Sequence, residues 1–339
     1  MSEAQSSTPA APWIAAQTRQ LLGQPGHARL LHGPSGLGQY RLALELARAW
    51  LCEQPDADGA CGSCGSCHAI AVRTHADLCV LMPETAMLEL GWPLSEKAQA
   101  DIDDKKRKPS REIRVDAMRD AIEFSQRTSA RGRGKVVLVY PAEQMNAITA
   151  NALLKTLEEP PGDVRFVLAS ESAHQLLPTI RSRCMGHAMH WPQPAQAQQW
   201  LQAQGLGAAD AERFLQAAGG RPDDVLALVA SGRKASDWSR FAPAMLAGDS
   251  AFVRDWPVTV LLDALQKLCH DSLCVQQGAA PRFFPLPAFQ PGAAPSLAAL
   301  SGWARALKDS RKTMEHPFNP GLMQEALVEQ ARTALNSVH

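Results

Sequence analysis

The sequence has no net charge and no long hydrophobic run, and we expect no signal peptide in its first residues. Its 34 Lys and Arg residues balance 34 Asp and Glu residues, which argues against a chain that holds nucleic acid alone by neutralising phosphates. No apolar run approaches the ~18 residues that a membrane-spanning helix needs. Residues 1–12 lack the basic and apolar regions of a secretory signal. We therefore expect a cytoplasmic protein without membrane contacts, in which residues 1–12 form a disordered polar tail.

The composition is that of a soluble globular protein, with 45% hydrophobic and 20% charged residues. A length of 339 residues allows two or three domains with a sizeable core. Strand and helix patterns alternate up to about residue 190, which predicts an α/β domain with a mostly parallel sheet. The predicted strands lie at 30–31, 76–81, 135–140 and 165–169, and the predicted helices at 13–22, 41–50, 113–126 and 146–159. Residues 191–194 are interpreted as a linker, and the pattern beyond them is helical.

Residues 83–110 have little hydrophobic pattern and are interpreted as a long surface insertion. They include the basic run Lys105–Lys108, which could contact nucleic acid. Acidic residues come directly before this run, so a solvated loop is the prediction.

A glycine-rich turn between a predicted strand and a predicted helix has the setting of a phosphate-binding P-loop. Its glycines are Gly33, Gly36 and Gly38. Glycines at such a turn let backbone N–H groups line an anion-binding nest at a helix N-terminus. The motif next requires a Lys for the phosphates and a hydroxyl for Mg²⁺, but these two places hold Gln39 and Tyr40.

A carboxylate that would hold Mg²⁺ is also missing. The strand Val136–Val139 is followed directly by Tyr140, and Glu143 comes three residues too late; it is interpreted as a helix N-terminal acid. Phosphoryl transfer depends almost entirely on positioning and electrostatics, so the joint loss of Lys, hydroxyl and carboxylate predicts a nucleotide site that no longer works. An active ATPase that uses Gln39 with an unusual metal site is the alternative.

Four cysteines have a spacing that is typical of a metal site. Cys52, Cys61, Cys64 and Cys67 lie within sixteen residues, and four thiolates satisfy Zn²⁺ tetrahedrally without leaving an open position. The prediction is a structural zinc module at about residues 52–67. Free thiols and an iron–sulfur cluster are the alternatives, although ferredoxin-type spacing would place a cysteine at position 71, which is Ala. A metal-dependent nucleic-acid-binding or redox module built on these cysteines is a further functional hypothesis.

The triplet Ser182-Arg183-Cys184 follows the predicted strand at 165–169. An arginine in such a place usually forms a surface ion pair. The functional hypothesis is that Arg183 is an arginine finger offered to a neighbour's nucleotide, a role worth about 10³–10⁵ in rate.

Together these motifs resemble the delta-prime family of bacterial DNA polymerase III clamp-loader subunits, which belongs to the AAA+ superfamily. The resemblance covers nearly the full chain. The segments that carry it are 27–38 (HARLLHGPSGLG), the four cysteines, 151–161 (NALLKTLEEPP), 166–169 (FVLA), 177–184 (LPTIRSRC) and 316–320 (HPFNP).

The resemblance implies three domains: an AAA+ α/β core with the zinc module at 1–190, a small helical lid at 191–233 and a helical collar at 234–339. It also implies a role as the non-hydrolysing stator of a five-subunit loader that places a sliding clamp on primed DNA. The implied partners are the ATPase subunits and the delta subunit, with the clamp and primer–template DNA contacted through the complex. Arg183 matches the family's finger position and Arg181 does not. In the lid, Asp223 stands where active relatives carry a nucleotide-sensing Arg, and Arg221 is displaced from that place.

Overall fold

A computed structural model of the chain describes residues 10–289, 295–313 and 319–337. The chain divides into two compact units, Met1–Pro192 and Gln193–His339. Of the predicted tail, residues 1–9 lie outside the described residues. The prediction is wrong at the end of that segment, because Ala11 is buried and the first helix already begins at Pro12.

The N-terminal unit is built on a five-stranded sheet in which all paired strands are parallel. In chain order the strands are β1 Ala28–His32, β2 Leu78–Leu81, β3 Lys135–Val139, β4 Val164–Ser170 and β5 Met185–Ala188. Their order across the sheet is β2-β3-β4-β1-β5. Every residue of β3 is buried, as expected of a central parallel strand covered on both faces. The predicted parallel α/β sheet is therefore confirmed.

Eight helices of this unit connect or flank the strands within the described residues. They are α1 Pro12–Leu22, α2 Gln39–Leu51, α3 Gly65–Ala71, α4 Glu84–Glu89, α5 Glu96–Asp103, α6 Val115–Gln126, α7 Ala147–Glu158 and α8 Pro178–Arg181. The Asn146 side chain caps α7 by accepting a bond from the Thr149 N–H, and Pro160 and Pro161 follow its end. The core joins the sheet to α6 and α7 through residues such as Met118, Leu153 and Phe166.

The segment 83–110 is more ordered than the sequence predicts. It contains α4 and α5, and Trp92 between them is buried. The Glu84 carboxylate accepts hydrogen bonds from Arg107 Nη2 at 2.7 Å and from the Ser110 N–H at 2.8 Å. The prediction of a solvated loop for Lys105–Lys108 is confirmed: the run lies outside the helices, and Lys105, Lys106 and Lys108 are exposed. Arg107, within this run, is neutralised by the Glu84 carboxylate.

The described part of the C-terminal unit is helical. Its helices are α9 Pro194–Ala203, α10 Ala208–Ala217, α11 Pro222–Ala230, α12 Ala235–Ala247, α13 Val258–Gln276, α14 Leu297–Thr313 and α15 Pro320–Leu335. Stacked aromatic rings of Trp238, Phe241, Trp256 and Phe284 lie in its core. The division of this unit into lid and collar stays a prediction. Most of the predicted HPFNP motif, residues 316–318, lies outside the described residues.

No helix in the described ranges combines the length and the apolar character that crossing a membrane requires.

Candidate functional site

The glycine-rich turn connects the carboxyl end of β1 to the start of α2, as the sequence predicts. Gly38 precedes α2 with φ +91°, and Gly36 also has a positive φ, +78°. Non-glycine residues rarely adopt this left-handed conformation. The turn therefore keeps the strand–loop–helix form in which backbone N–H groups can line an anion site.

Gln39 stands at the place of the P-loop lysine, and its side chain is turned back onto the loop itself. Only 2% of the residue is exposed. Its Nε2 donates hydrogen bonds to the Gly33 carbonyl at 2.8 Å and to the Pro34 carbonyl at 2.7 Å. The side chain thus satisfies the backbone of the loop, and its amide group brings no charge for a phosphate.

The two remaining chemical positions are filled by the chain's two tyrosines. Tyr40 stands at the hydroxyl position and Tyr140 at the end of β3, and their rings stack with centroids 5.4 Å apart. Tyr40 Oη accepts a bond from Trp92 Nε1 at 2.6 Å, and Tyr140 Oη donates to Glu171 Oε1 at 2.8 Å. Burial raises the pKa of Tyr40, and its hydroxyl is held by the Trp92 indole rather than presented to the loop.

This aromatic pair was missed by the reasoning from sequence, although a signal was present. Carboxyl ends of parallel strands meet at one edge of a sheet. Tyr140 ends one predicted strand, and Tyr40 follows the glycine-rich turn that comes after another. The contribution of Trp92 could not be found in that way, because it comes from the segment whose sequence has little pattern.

Glu143 lies in a short 3₁₀ helix, Ala142–Gln144, in agreement with its interpretation as a helix N-terminal acid. Its Oε1 accepts a hydrogen bond from the Glu171 N–H at 2.9 Å. This carboxylate therefore holds the end of β4 to the segment that follows β3.

The four predicted cysteines come together into one cluster. All four Sγ atoms lie within 4.8 Å of one another, and Cys52 Sγ lies 3.5 Å from Cys61 Sγ and 3.8 Å from Cys64 Sγ and Cys67 Sγ. A tetrahedron with Zn–S bonds of ~2.3 Å needs S–S separations of ~3.8 Å. The cluster can therefore hold a metal ion, and four sulfur ligands would leave no position for a substrate.

Hydrogen bonds favour the thiolate form in part of the cluster, whereas burial raises the pKa of Cys52 and raises that of Cys67 to about 12. Backbone groups of Ser63 and Cys64 lower the pKa of Cys61 to about 6. The N–H groups of Cys61 and Cys67 donate to the sulfurs of Cys52 and Cys64. Thiolate is the form that binds metal, so these contacts favour ligation.

The cysteine cluster is braced against the rest of the unit through Glu53. Its Oε1 accepts bonds from the Ser66 N–H and Ser66 Oγ, both at 3.0 Å, and from Arg131 Nη1 at 2.8 Å. These hydrogen bonds lower the pKa of Glu53, and the bond from Ser66 Oγ has the largest effect. Arg131 belongs to the loop before β3, so the contact connects the cysteine cluster to the sheet.

Arg183 forms an ion pair with Glu158, the last residue of α7. Its Nε donates to Glu158 Oε1 at 2.6 Å, its Nη2 donates to the same oxygen, and its Nη1 donates to the Thr179 carbonyl at 2.8 Å. The side chain remains 30% exposed. The surface ion pair is confirmed, and the role of an arginine finger stays a prediction.

The displaced Arg221 is also paired within its own unit. Its Nη2 lies 2.7 Å from Asp224 Oδ2, and its Nε donates to the Ala218 carbonyl at 3.0 Å. Asp223 lies beside it in the first turn of α11. A carboxylate at position 223 has the wrong charge for sensing a phosphate.

Comparison with known proteins gives consistent matches. Residues 15–191 match the family model described as DNA polymerase III, delta subunit. DNA polymerase III subunit delta' of Pseudomonas aeruginosa is 43% identical over 192 residues, which cover 56% of this chain and 52% of that protein. The Escherichia coli K12 protein of the same name is 30% identical over 277 residues, 76% of each chain. The match thus spans about half the length of the Pseudomonas relative.

Solved structures with some similarity include a DNA polymerase III gamma subunit-related protein from Thermotoga maritima. It has a TM-score of 0.49 and 18% identity, over 95% of this chain and 99% of that one. A RuvB protein from the same organism has a TM-score of 0.40 and 15% identity, over 95% of this chain and 86% of that one.

Proposed function

The chain belongs to the family of DNA polymerase III delta-prime subunits, which are clamp-loader components, and we propose that it acts there as a non-hydrolysing stator. In this role it completes a neighbouring subunit's ATP site and has no ATPase activity of its own. It is a non-catalytic part of the DNA polymerase III holoenzyme and works in the cytoplasm during DNA replication.

The observation that carries this proposal is the state of the glycine-rich loop. Gln39 donates both amide hydrogens to the loop's own carbonyls, and Tyr40 stacks on Tyr140 where a hydroxyl and a carboxylate would hold Mg²⁺. With no cation, no metal ligand and two bulky rings, the loop lacks the groups that phosphoryl transfer requires.

Arg183 is the group through which the chain serves a neighbour. It occupies the finger position of the SRC triplet, and its side chain remains accessible. A guanidinium donates strong, geometrically matched hydrogen bonds to phosphate oxygens, so it can stabilise the charge that develops during hydrolysis in an adjacent subunit.

The partners in this proposal are the ATPase subunits and the delta subunit in a hetero-pentamer. The sliding clamp and primer–template DNA are contacted through the complex. Relatives named DNA polymerase III subunit tau and subunit gamma match about half of this chain, at 34% and 31% identity, which supports related subunits as neighbours. Zn²⁺ held by Cys52, Cys61, Cys64 and Cys67 has a structural role.

The test is Arg183→Ala in a loader reconstituted with its ATPase subunits. We expect normal folding and assembly with a large loss of ATP turnover. Arg181→Ala is the matched control, because Arg181 is exposed and lies two residues from the finger position. Unchanged turnover in the Arg183→Ala loader would rule out the finger role. Tight Mg²⁺-dependent ATP binding by the isolated chain would instead favour an active ATPase.

A further inference from the structure

The Arg183–Glu158 pair has a geometry that leaves part of the guanidinium available. The carboxylate accepts bonds from Nε and Nη2, and the Thr179 carbonyl accepts one from Nη1. An arginine has five N–H donors, and three are used. One N–H on each terminal nitrogen is left without a partner among the residues that the structure describes. Each of these two donors belongs to a charged guanidinium and can bind a phosphate oxygen.

Glu158 occupies an electrostatically poor position for a carboxylate. It is the last residue of α7, where the partial negative charge of the helix dipole disfavours another negative charge. The ion pair is also half-exposed on its acidic side, with 49% of the Glu158 side chain accessible. Exposed pairs of this kind contribute little to stability, so the fold does not account for the carboxylate.

The backbone that carries Glu158 is firmly held. Leu153 and Leu157 of α7 are buried in the core of the unit. His27 Nε2 lies 2.8 Å from the Leu157 carbonyl, which ties the last turn of α7 to the segment before β1. A carboxylate on such a turn provides a fixed anchor for a long and otherwise mobile side chain.

We propose that Glu158 is a positioning residue for Arg183. It holds one edge of the guanidinium so that the two remaining N–H groups are presented together to a phosphate of the neighbouring subunit's nucleotide. This inference rests on the proposed function, because it concerns the same arginine. Glu158 itself touches no nucleotide and acts through Arg183 alone.

The test is a double-mutant cycle in the assembled loader. The other ATPase sites are inactivated through their own P-loop lysines, so that the measured turnover comes from the site beside this chain. Glu158→Ala should lower the maximal turnover about 10- to 100-fold, since a displacement of about 1 Å in a positioned group can cost 10²-fold. The KM for ATP should change little, because the finger acts in the transition state.

The matched control is Glu159→Ala, which removes an exposed carboxylate from the next residue and should leave turnover unchanged. Glu158→Gln keeps an oxygen acceptor in place and should retain turnover within about fivefold of wild type. It also provides a folded variant if Glu158→Ala assembles poorly. In an Arg183→Ala background, Glu158→Ala should cause no further loss.

The outcomes separate the two proposals. If ATP turnover falls with Arg183→Ala but not with Glu158→Ala, the positioning role is overturned and the finger role stays intact. An additive loss in the double variant would also overturn it, because Glu158 would then act independently of Arg183. Full turnover in the Arg183→Ala loader would refute the proposed function, and the positioning role with it.

Discussion

The side chain of Gln39 offers a direct test of whether the loop is now a structural element. Its amide makes two hydrogen bonds to loop carbonyls and is almost fully buried. A buried hydrogen bond contributes about 0.5–1.5 kcal/mol net, so Gln39→Ala should lower the stability of the loop region by about 1–3 kcal/mol. The same substitution should change clamp loading by the assembled complex less than about twofold, because the bonds serve the chain's own backbone.

Hydrogen exchange measured on the isolated chain is the assay, because it reports on β1 and α2 separately from the second unit. A loss of about 1–3 kcal/mol corresponds to amides that exchange about 5- to 150-fold faster. Gln126→Ala is the control, since Gln126 is exposed at the end of α6. This substitution should change the free energy of unfolding by less than about 0.5 kcal/mol.

Two results would refute this reasoning. Unchanged protection of β1 and α2 in Gln39→Ala would mean that the two hydrogen bonds do not hold the loop. A tenfold drop in clamp loading, with assembly intact, would mean that the loop still binds something that the complex needs.

Three further substitutions test the remaining features. Cys64→Ser should release the metal and lower the melting temperature by about 5–10 °C. Cys79→Ser, which lies outside the cluster, is the control and should keep the metal. A Cys64→Ser variant that loses zinc but keeps the wild-type melting temperature would contradict the structural role. Asp77 is buried and accepts a hydrogen bond from the buried ammonium of Lys135 at 3.1 Å. Asp77→Asn should lower the free energy of unfolding by about 3–5 kcal/mol at pH 7, because it leaves this ammonium without its counter-charge. Burial opposes ionisation of Asp77, but backbone N–H groups and the Lys135 ammonium hold its pKa below the ordinary value. The stability that Asp77 contributes should therefore be full above pH ~4 and disappear as the pH falls further. Acid unfolding of the wild type and of Asp77→Asn would measure this. Trp92→Phe removes the hydrogen bond to Tyr40 and should move the spectroscopic titration of that tyrosine to higher pH; an unchanged titration would exclude the bond.

Much of the fold follows from local patterns in the sequence. Apart from Lys135, the run Lys135–Val139 is apolar and mostly β-branched, which is typical of a strand buried on both faces, and it is β3. The strand β5 was not predicted, because Met185–Ala188 contains a glycine and a histidine and only His187 is buried. The spacing of Ile148, Leu153, Leu154 and Leu157 predicts one apolar face on α7, but 69% of Ile148 is exposed. Periodicity alone cannot tell which turn of a helix meets the core.

The candidate site likewise has parts that the sequence predicts and parts that it does not. The cysteine cluster was predictable because its ligands are close in sequence, so spacing constrains geometry. The Arg183–Glu158 pair joins residues 25 positions apart through tertiary packing, and nothing in the spacing indicates it. The position of Trp92 could not be predicted for a related reason. The helices α4 and α5 on either side of it are short, and an Arg107–Glu84 ion pair rather than an apolar stripe holds the segment 83–110.

The shape of the loop can persist without nucleotide because the fold itself requires it. A Cβ on Gly33 would lie 2.9 Å from Met189 Cβ, a separation too close for two side-chain carbons, so this glycine is needed for packing beside β5. Gly36 and Gly38 have positive φ angles that the turn into α2 demands. Leu37 is buried between them. Each glycine of the motif thus has a packing or backbone role that is independent of phosphate, whereas the lysine, hydroxyl and carboxylate have none. The loss of nucleotide chemistry that we propose would therefore remove only those three groups and leave the turn in place.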